Sequence, residues 1–151
     1  MFDSHWIEIR DGDVRLRPFF ERHYSARPKR TRHYKNWRRI CPPGEHMVLI
    51  TAKCDALFVW VKEKIRHDQQ VGVNCAVFRN ESDILSSELI SEAVKLAWQK
   101  WPQERLFTYV NPAKIESPNP GYCFLQAGWG RLNGASPKGL RILELLPEAE
   151  K

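Results

Sequence analysis

Apolar and polar residues alternate in short blocks through most of the chain, and one longer block recurs at helical spacing. Val14 to Arg17 alternates apolar and basic residues, which predicts a short half-exposed strand closed by Pro18. Phe19 to Tyr24 is a candidate helix start. Met47 to Ala52 and Ala56 to Lys62 are rich in β-branched and aromatic residues and are separated by Lys53-Cys54-Asp55, so they predict an antiparallel hairpin. Gly72 to Arg79 is a third such run. From Ser86 to Lys100 the apolar positions Leu89, Ile90, Ala93, Val94, Leu96 and Ala97 fall on one helical stripe that Trp101 extends. Ser86 or Ser87 would cap that helix, Glu88 sits in its first turn and Pro102 stops it. Leu106 to Val110 predicts a strand, Asn111 to Gly121 a proline-rich loop, Tyr122 to Ala127 a short helix ended by Gly128, and Leu140 to Leu146 a last strand. This order implies a mixed sheet with helices on its faces, an α/β (α+β) domain whose site lies near the strand ends flanking the main helix.

Composition narrows the class. With 151 residues, 42% hydrophobic and 28% charged, the chain fits a single domain over 1–151 with a sizeable core and no internal repeat. The longest apolar run, Ala56 to Val61, is six residues, far below the roughly 20 that a membrane-spanning helix needs. The first twenty residues carry seven charged side chains and no apolar stretch of signal-peptide length, which points to the cytoplasm. Cys41, Cys54, Cys75 and Cys123 are spaced by 13, 21 and 48 residues, and they form neither a C-x-x-C pair nor a zinc-finger pattern. They read as reduced thiols, those of Cys75 and Cys123 buried and inert. His33, Cys41 and His46 show no ligand spacing that would suggest zinc.

The net charge of +6 changes the picture once it is mapped. Residues 22–39 hold eight of the 24 basic residues and no acid, leaving 16 basic against all 18 acidic residues elsewhere. The positive excess is therefore local. Arg27, Lys29, Arg30, Arg32, Lys35, Arg38 and Arg39 are interleaved with His33, Tyr34 and Trp37, a pattern that suits a phosphate backbone better than a core. Double-stranded DNA is the expected partner; the bland alternative is a solvated basic loop.

From Asn74 to Leu146 a strand, a long helix, a strand ending in Tyr109-Val110-Asn111-Pro112, an aromatic short helix ending in Gln126-Ala127-Gly128-Trp129 and a last strand resemble the GNAT (N-acetyltransferase) fold. That resemblance implies a mixed, mostly antiparallel sheet with helices on both faces. It also implies a glycine-rich loop after the strand, holding the pyrophosphate of acetyl-CoA on backbone N–H groups. Here Arg79 fits the loop, but the residues after it carry no glycine and include Glu81 and Asp83, so acetyl-CoA is the less expected cofactor. Tyr122 stands near the place of the fold's general acid, which Phe124 occupies.

His23-Tyr24-Ser25, Asn111-Pro112 in place of an Asp-Pro, and Gly128-Trp129 occur in the order of the motifs of the Mom family of phage DNA-modification proteins, a divergent GNAT branch that this chain resembles. The resemblance implies transfer of a carbamoylmethyl group to the exocyclic amine of adenine, with iron possible and with His23, Tyr24 and Asn111 in the ligand positions. His23 is the candidate general base, Tyr24, Ser25, Asn111 and Tyr122 the other catalytic candidates, and Arg79 the anchor for a phosphate or carboxylate. Flipped bases need stacking partners, and Tyr24, Tyr34, Trp37, Tyr109 and Tyr122 are available. Two rival readings are an acetyl-CoA-dependent N-acyltransferase acting on a protein or small amine, and a non-catalytic nucleic-acid-binding module. The purely structural roles are surface residues for His23 and Tyr24, a turn opener for Asn111, a local ion pair for Arg79 and helix caps for Ser86 and Ser87.

Overall fold

The computed structural model describes residues 4–16, 41, 43–63, 70–110, 122–132 and 141–147. The candidates His23, Tyr24, Ser25 and Asn111, the basic residues from Arg27 to Arg39 and the helix start at Phe19 to Tyr24 lie outside them.

The described chain is an α+β structure built on a seven-stranded sheet of order β1-β2-β3-β4-β5-β7-β6. The strands are β1 (Trp6–Ile9), β2 (Gly44–Thr51), β3 (Ala56–Glu63), β4 (Val73–Asn80), β5 (Leu106–Val110), β6 (Gly130–Arg131) and β7 (Arg141–Leu145). Neighbours run antiparallel except β4 and β5, which are parallel because helix α1 (Ser86–Lys100) carries the chain back between them.

β2 and β3 are near-continuous apolar runs because both their faces are buried. One face joins Trp6, Met47, Leu49, Phe58 and Trp60 to Leu89, Ile90, Ala93 and Ala97 of α1 and to Phe124 of α2 (Tyr122–Gln126). The other gathers Ile9, Leu16, Val48, Ile50, Leu57, Val59 and Val61. Two indoles fix α1 on the sheet: Trp6 Nε1 donates to Leu89 O at 2.8 Å and Trp60 Nε1 to Ala93 O at 3.0 Å, one helical turn apart. His5 clasps the same helix, its backbone N–H donating to Glu92 Oε1 at 2.6 Å while Nδ1 lies 2.8 Å from Oε2. The β2–β3 turn is organised by Thr51, whose hydroxyl accepts from the N–H groups of Asp55 and Ala56 and lets Cys54 adopt φ +56°.

Three local expectations are corrected. Val14–Leu16 is a 3₁₀ turn and not a strand: Leu16 N–H bonds to Asp13 O, the Asp13 carboxylate holds the Arg15 N–H and guanidinium, and Leu16 is driven into the core. The first strand lies earlier, at Trp6–Ile9, and pairs with β2. Helix α1 begins at the expected residue, but its N-cap is Leu85 with no side-chain cap bond, because the Ser86 hydroxyl is engaged by Asn80. No helix among the described residues is long and apolar enough to cross a membrane.

Candidate functional site

The parallel pair β4–β5 separates partway along its length. Its ladder runs Val73–Leu106, Asn74–Phe107 and Cys75–Thr108 and stops there, while β4 continues to Asn80 and β5 to Val110. The cause is visible on the other edge of β4: the register to β3 passes from Val59–Val77 to Trp60–Cys75, which leaves Ala76 as an extra residue. Such a bulge bends and twists its strand, here where β4 leaves β5. The carbonyl of Cys75 is satisfied by a side chain, with Thr108 Oγ1 donating to it at 2.9 Å inside the core. Cys75 is buried and burial raises its thiol pKa, so it is an inert thiol as expected. Cys123 is only half-buried; burial raises its thiol as well. All four cysteines are free.

Beyond that separation the carboxyl ends of β4 and β5 point the same way, the region where open sheets with crossover helices bind ligands. Arg79 is the penultimate residue of β4, with its guanidinium 4.0 Å from the Glu81 carboxylate, so the local ion pair foreseen for it exists. The ring centroids of Phe78 and Phe124 lie 5.9 Å apart, which sets this end of β4 against α2, while Arg79, one residue on and paired with Leu57, faces the opposite side of the sheet. Tyr122, the first residue of α2, is 54% exposed and accessible to a ligand. β5 ends at Val110, the last described residue before Asn111.

The turn from β4 into α1 is closed upon itself. Asn80 Nδ2 donates to Ile84 O at 2.7 Å and to Ser86 Oγ at 2.9 Å, and Asn80 Oδ1 accepts from the Ser82 N–H at 2.9 Å. The Ile84 N–H donates to Ser82 Oγ and the Glu81 N–H to Asp55 O. A phosphate cradle needs N–H groups with no other acceptor, and those of residues 81, 82 and 84 are taken. Two carboxylates, Glu81 and Asp83, add repulsion. Sequence reading missed Asn80 as the organiser; an Asn at a strand end followed two residues on by Ser is the side-chain turn signal that could have found it.

Gly128-Trp129 has a structural explanation. Gly128 takes φ +96° and donates to Leu125 O, and Trp129 N–H donates to Phe124 O, the two bonds of a Schellman motif that ends α2. Trp129 then packs at 4.9 Å on Phe124 and stacks at 6.2 Å on Trp60. Its buried Nε1 has no hydrogen-bond partner among the described residues. Compared with known proteins, the chain matches no family model, no curated protein and no solved structure.

Proposed function

We propose that the chain is a GNAT-fold, Mom-like transferase that adds a small carbamoylmethyl-like group to the exocyclic amine of adenine in duplex DNA, in the cytoplasm. The observation that carries the reading is the parallel β4–β5 pair, bridged by α1 and opened after Cys75 and Thr108, beside a turn in which the N–H groups of residues 81, 82 and 84 are already bonded. That combination suits a group-transfer fold that has given up the usual pyrophosphate cradle, and it disfavours the rival acetyl-CoA reading. Helices on both faces of the sheet belong to the proposal; the burial of β2 and β3 on the face opposite α1 and α2 supports it.

The chemistry follows from the target. The lone pair of the adenine amine is delocalised into the ring, so the amine attacks only if a base takes its proton as the new bond forms. His23 is assigned that proton, the donor's bond to the transferred carbon breaks with its electron pair leaving on the donor as the N–C bond forms, and Tyr24, Ser25 and Asn111 hold the amine and the incoming group. The base leaves the stack to reach them, and Tyr122 is an exposed ring on which it can stack. Arg79 anchors a carboxylate or phosphate of the donor. Iron, which the family resemblance implies, would fall on His23, Tyr24 and Asn111, where an amide oxygen is a neutral and weaker ligand than a carboxylate.

Residues 27–39 supply the grip on the duplex. Each neutralised phosphate adds about 0.9 to the slope of log affinity against log salt. Replacing Lys29, Arg30, Arg32, Arg38 and Arg39 together by Ala should therefore flatten a steep slope measured with a duplex oligonucleotide. A mutant that keeps the wild-type slope places the DNA surface elsewhere and removes the support that charge gives to this function.

A further inference from the structure

A second constellation lies away from the β4–β5 opening, where the chain leaves β1 and enters β2. Asp11 follows β1, Cys41 precedes β2 and His46 is its third residue. One carboxylate oxygen, the thiol sulfur and one imidazole nitrogen from these three all lie within 4.8 Å of one another, and each residue is half-buried. The Cys41 N–H donates to Asp11 Oδ2 at 3.0 Å across 30 residues of sequence, so the two segments are tied before any ligand is considered. Cys41 also packs on the apolar cluster of Ile9, Leu16 and Val48, which gives the group a dry floor.

We propose that Asp11, Cys41 and His46 form a binding site for a zinc-type divalent cation, with water in the fourth position. Sulfur, imidazole nitrogen and carboxylate oxygen are the donor set of that class of metal, and three protein ligands leave one tetrahedral position open. Bonds of about 2.0–2.3 Å place tetrahedral donors roughly 3.3–3.7 Å apart, so closing from separations of at most 4.8 Å asks each atom to move by no more than about 1 Å, within the reach of side-chain torsions. Charge balances as well: a thiolate, a carboxylate and a neutral imidazole compensate a dication. The ligand is the thiolate, so one proton passes from the Cys41 thiol to solvent as the metal–sulfur bond forms.

This site rests on nothing in the transferase reading. Its position gives it a consequence nonetheless, since it joins the two roots of the stretch that carries the eight clustered basic residues.

Cobalt titration of the full chain, stripped of metal by a chelator and kept reduced, tests it. The expected result is a thiolate-to-cobalt charge-transfer band in the near ultraviolet with visible bands of four-coordinate intensity. Both should saturate at one cobalt per chain and be bleached by zinc. Cys41→Ser should abolish the charge-transfer band, and His46→Ala and Asp11→Asn should each weaken binding by at least about tenfold. Cys123→Ser should leave all of it intact. A wild-type protein that develops no such band with micromolar cobalt overturns the proposal without recourse to any variant. So does a band that survives Cys41→Ser in protein whose circular dichroism is unchanged.

Discussion

His5 shows how one exposed side chain makes stability depend on pH. The hydrogen bond to Glu92 and then the charge of that carboxylate raise the His5 pKa above its usual 6.5. The fold therefore favours the protonated ring. The contribution is fully present below pH 6.5, falls as pH rises through the raised folded value, and is gone above it. Because the ring is 44% exposed, screening limits it to about 0.2–1 kcal/mol. Melting curves of the wild type and His5→Ala should differ most below pH 6.5 and converge in alkaline buffer, since the backbone bond from His5 to Glu92 persists in both. A gap that stays constant across this range would show that the charge contributes nothing. Two glycines make a sharper residue-scale contrast. Gly72 has φ +124°, and a Cβ on it would stand 2.1 Å from Arg105 O, whereas Gly128 has φ +96° with open space around its Cβ position. Gly128→Ala should cost only the backbone term, about 1–2 kcal/mol. Gly72→Ala should cost clearly more, because the clash is with backbone where Val73 begins its pairing with β5. Urea unfolding measures both, and equal costs would contradict the contact.

Among the elements, α1 was legible to the residue because its apolar stripe and Pro102 define it together. β2, β3 and β4 were legible to within a few residues through their β-branched and aromatic runs. β1 escaped notice because in Trp-Ile-Glu-Ile only the end residues are buried, one in each core cluster, which breaks the period of two. β6 has two residues and no period to read. Val14 to Leu16 shows the opposite error, an alternation too short to tell a strand from a turn, decided by the Asp13 side chain. At the turn between β4 and α1 the absence of glycine and the presence of two acids were visible in sequence, but the hydrogen bonds of Asn80 and Ser82 needed coordinates. This element predicts that acetyl-CoA binds weakly at best, because its pyrophosphate meets occupied N–H groups and like charge. Calorimetry giving a micromolar or tighter complex would overturn that and favour the acyltransferase reading.

For the molecule as a whole, the sequence made the local excess of positive charge plain, and with it the expected partner. It did not show the opening between β4 and β5, which depends on a bulge against β3 that no periodicity records. Nor did it bring Asp11 to Cys41 and His46, since contacts across 30 residues are set by the pairing of β1 with β2 and not by motif spacing. Phe78 packs its ring on Phe124 of α2, whereas Arg79, the next residue of β4 and the partner of Leu57, faces the other side of the sheet, so Arg79 and Tyr122 share an end of the sheet but not a face. The reaction proposed for this architecture is the modification of adenine in DNA. Mass spectrometry of nucleosides from the DNA of cells producing the protein tests it most directly, with His23→Ala and Asn111→Ala variants in parallel. A heavier deoxyadenosine species is expected with the wild type and none with either variant, while both variants keep their salt-dependent binding to duplex DNA. Unmodified nucleosides from cells that contain folded, DNA-binding wild-type protein would contradict it and leave a binding module in its place.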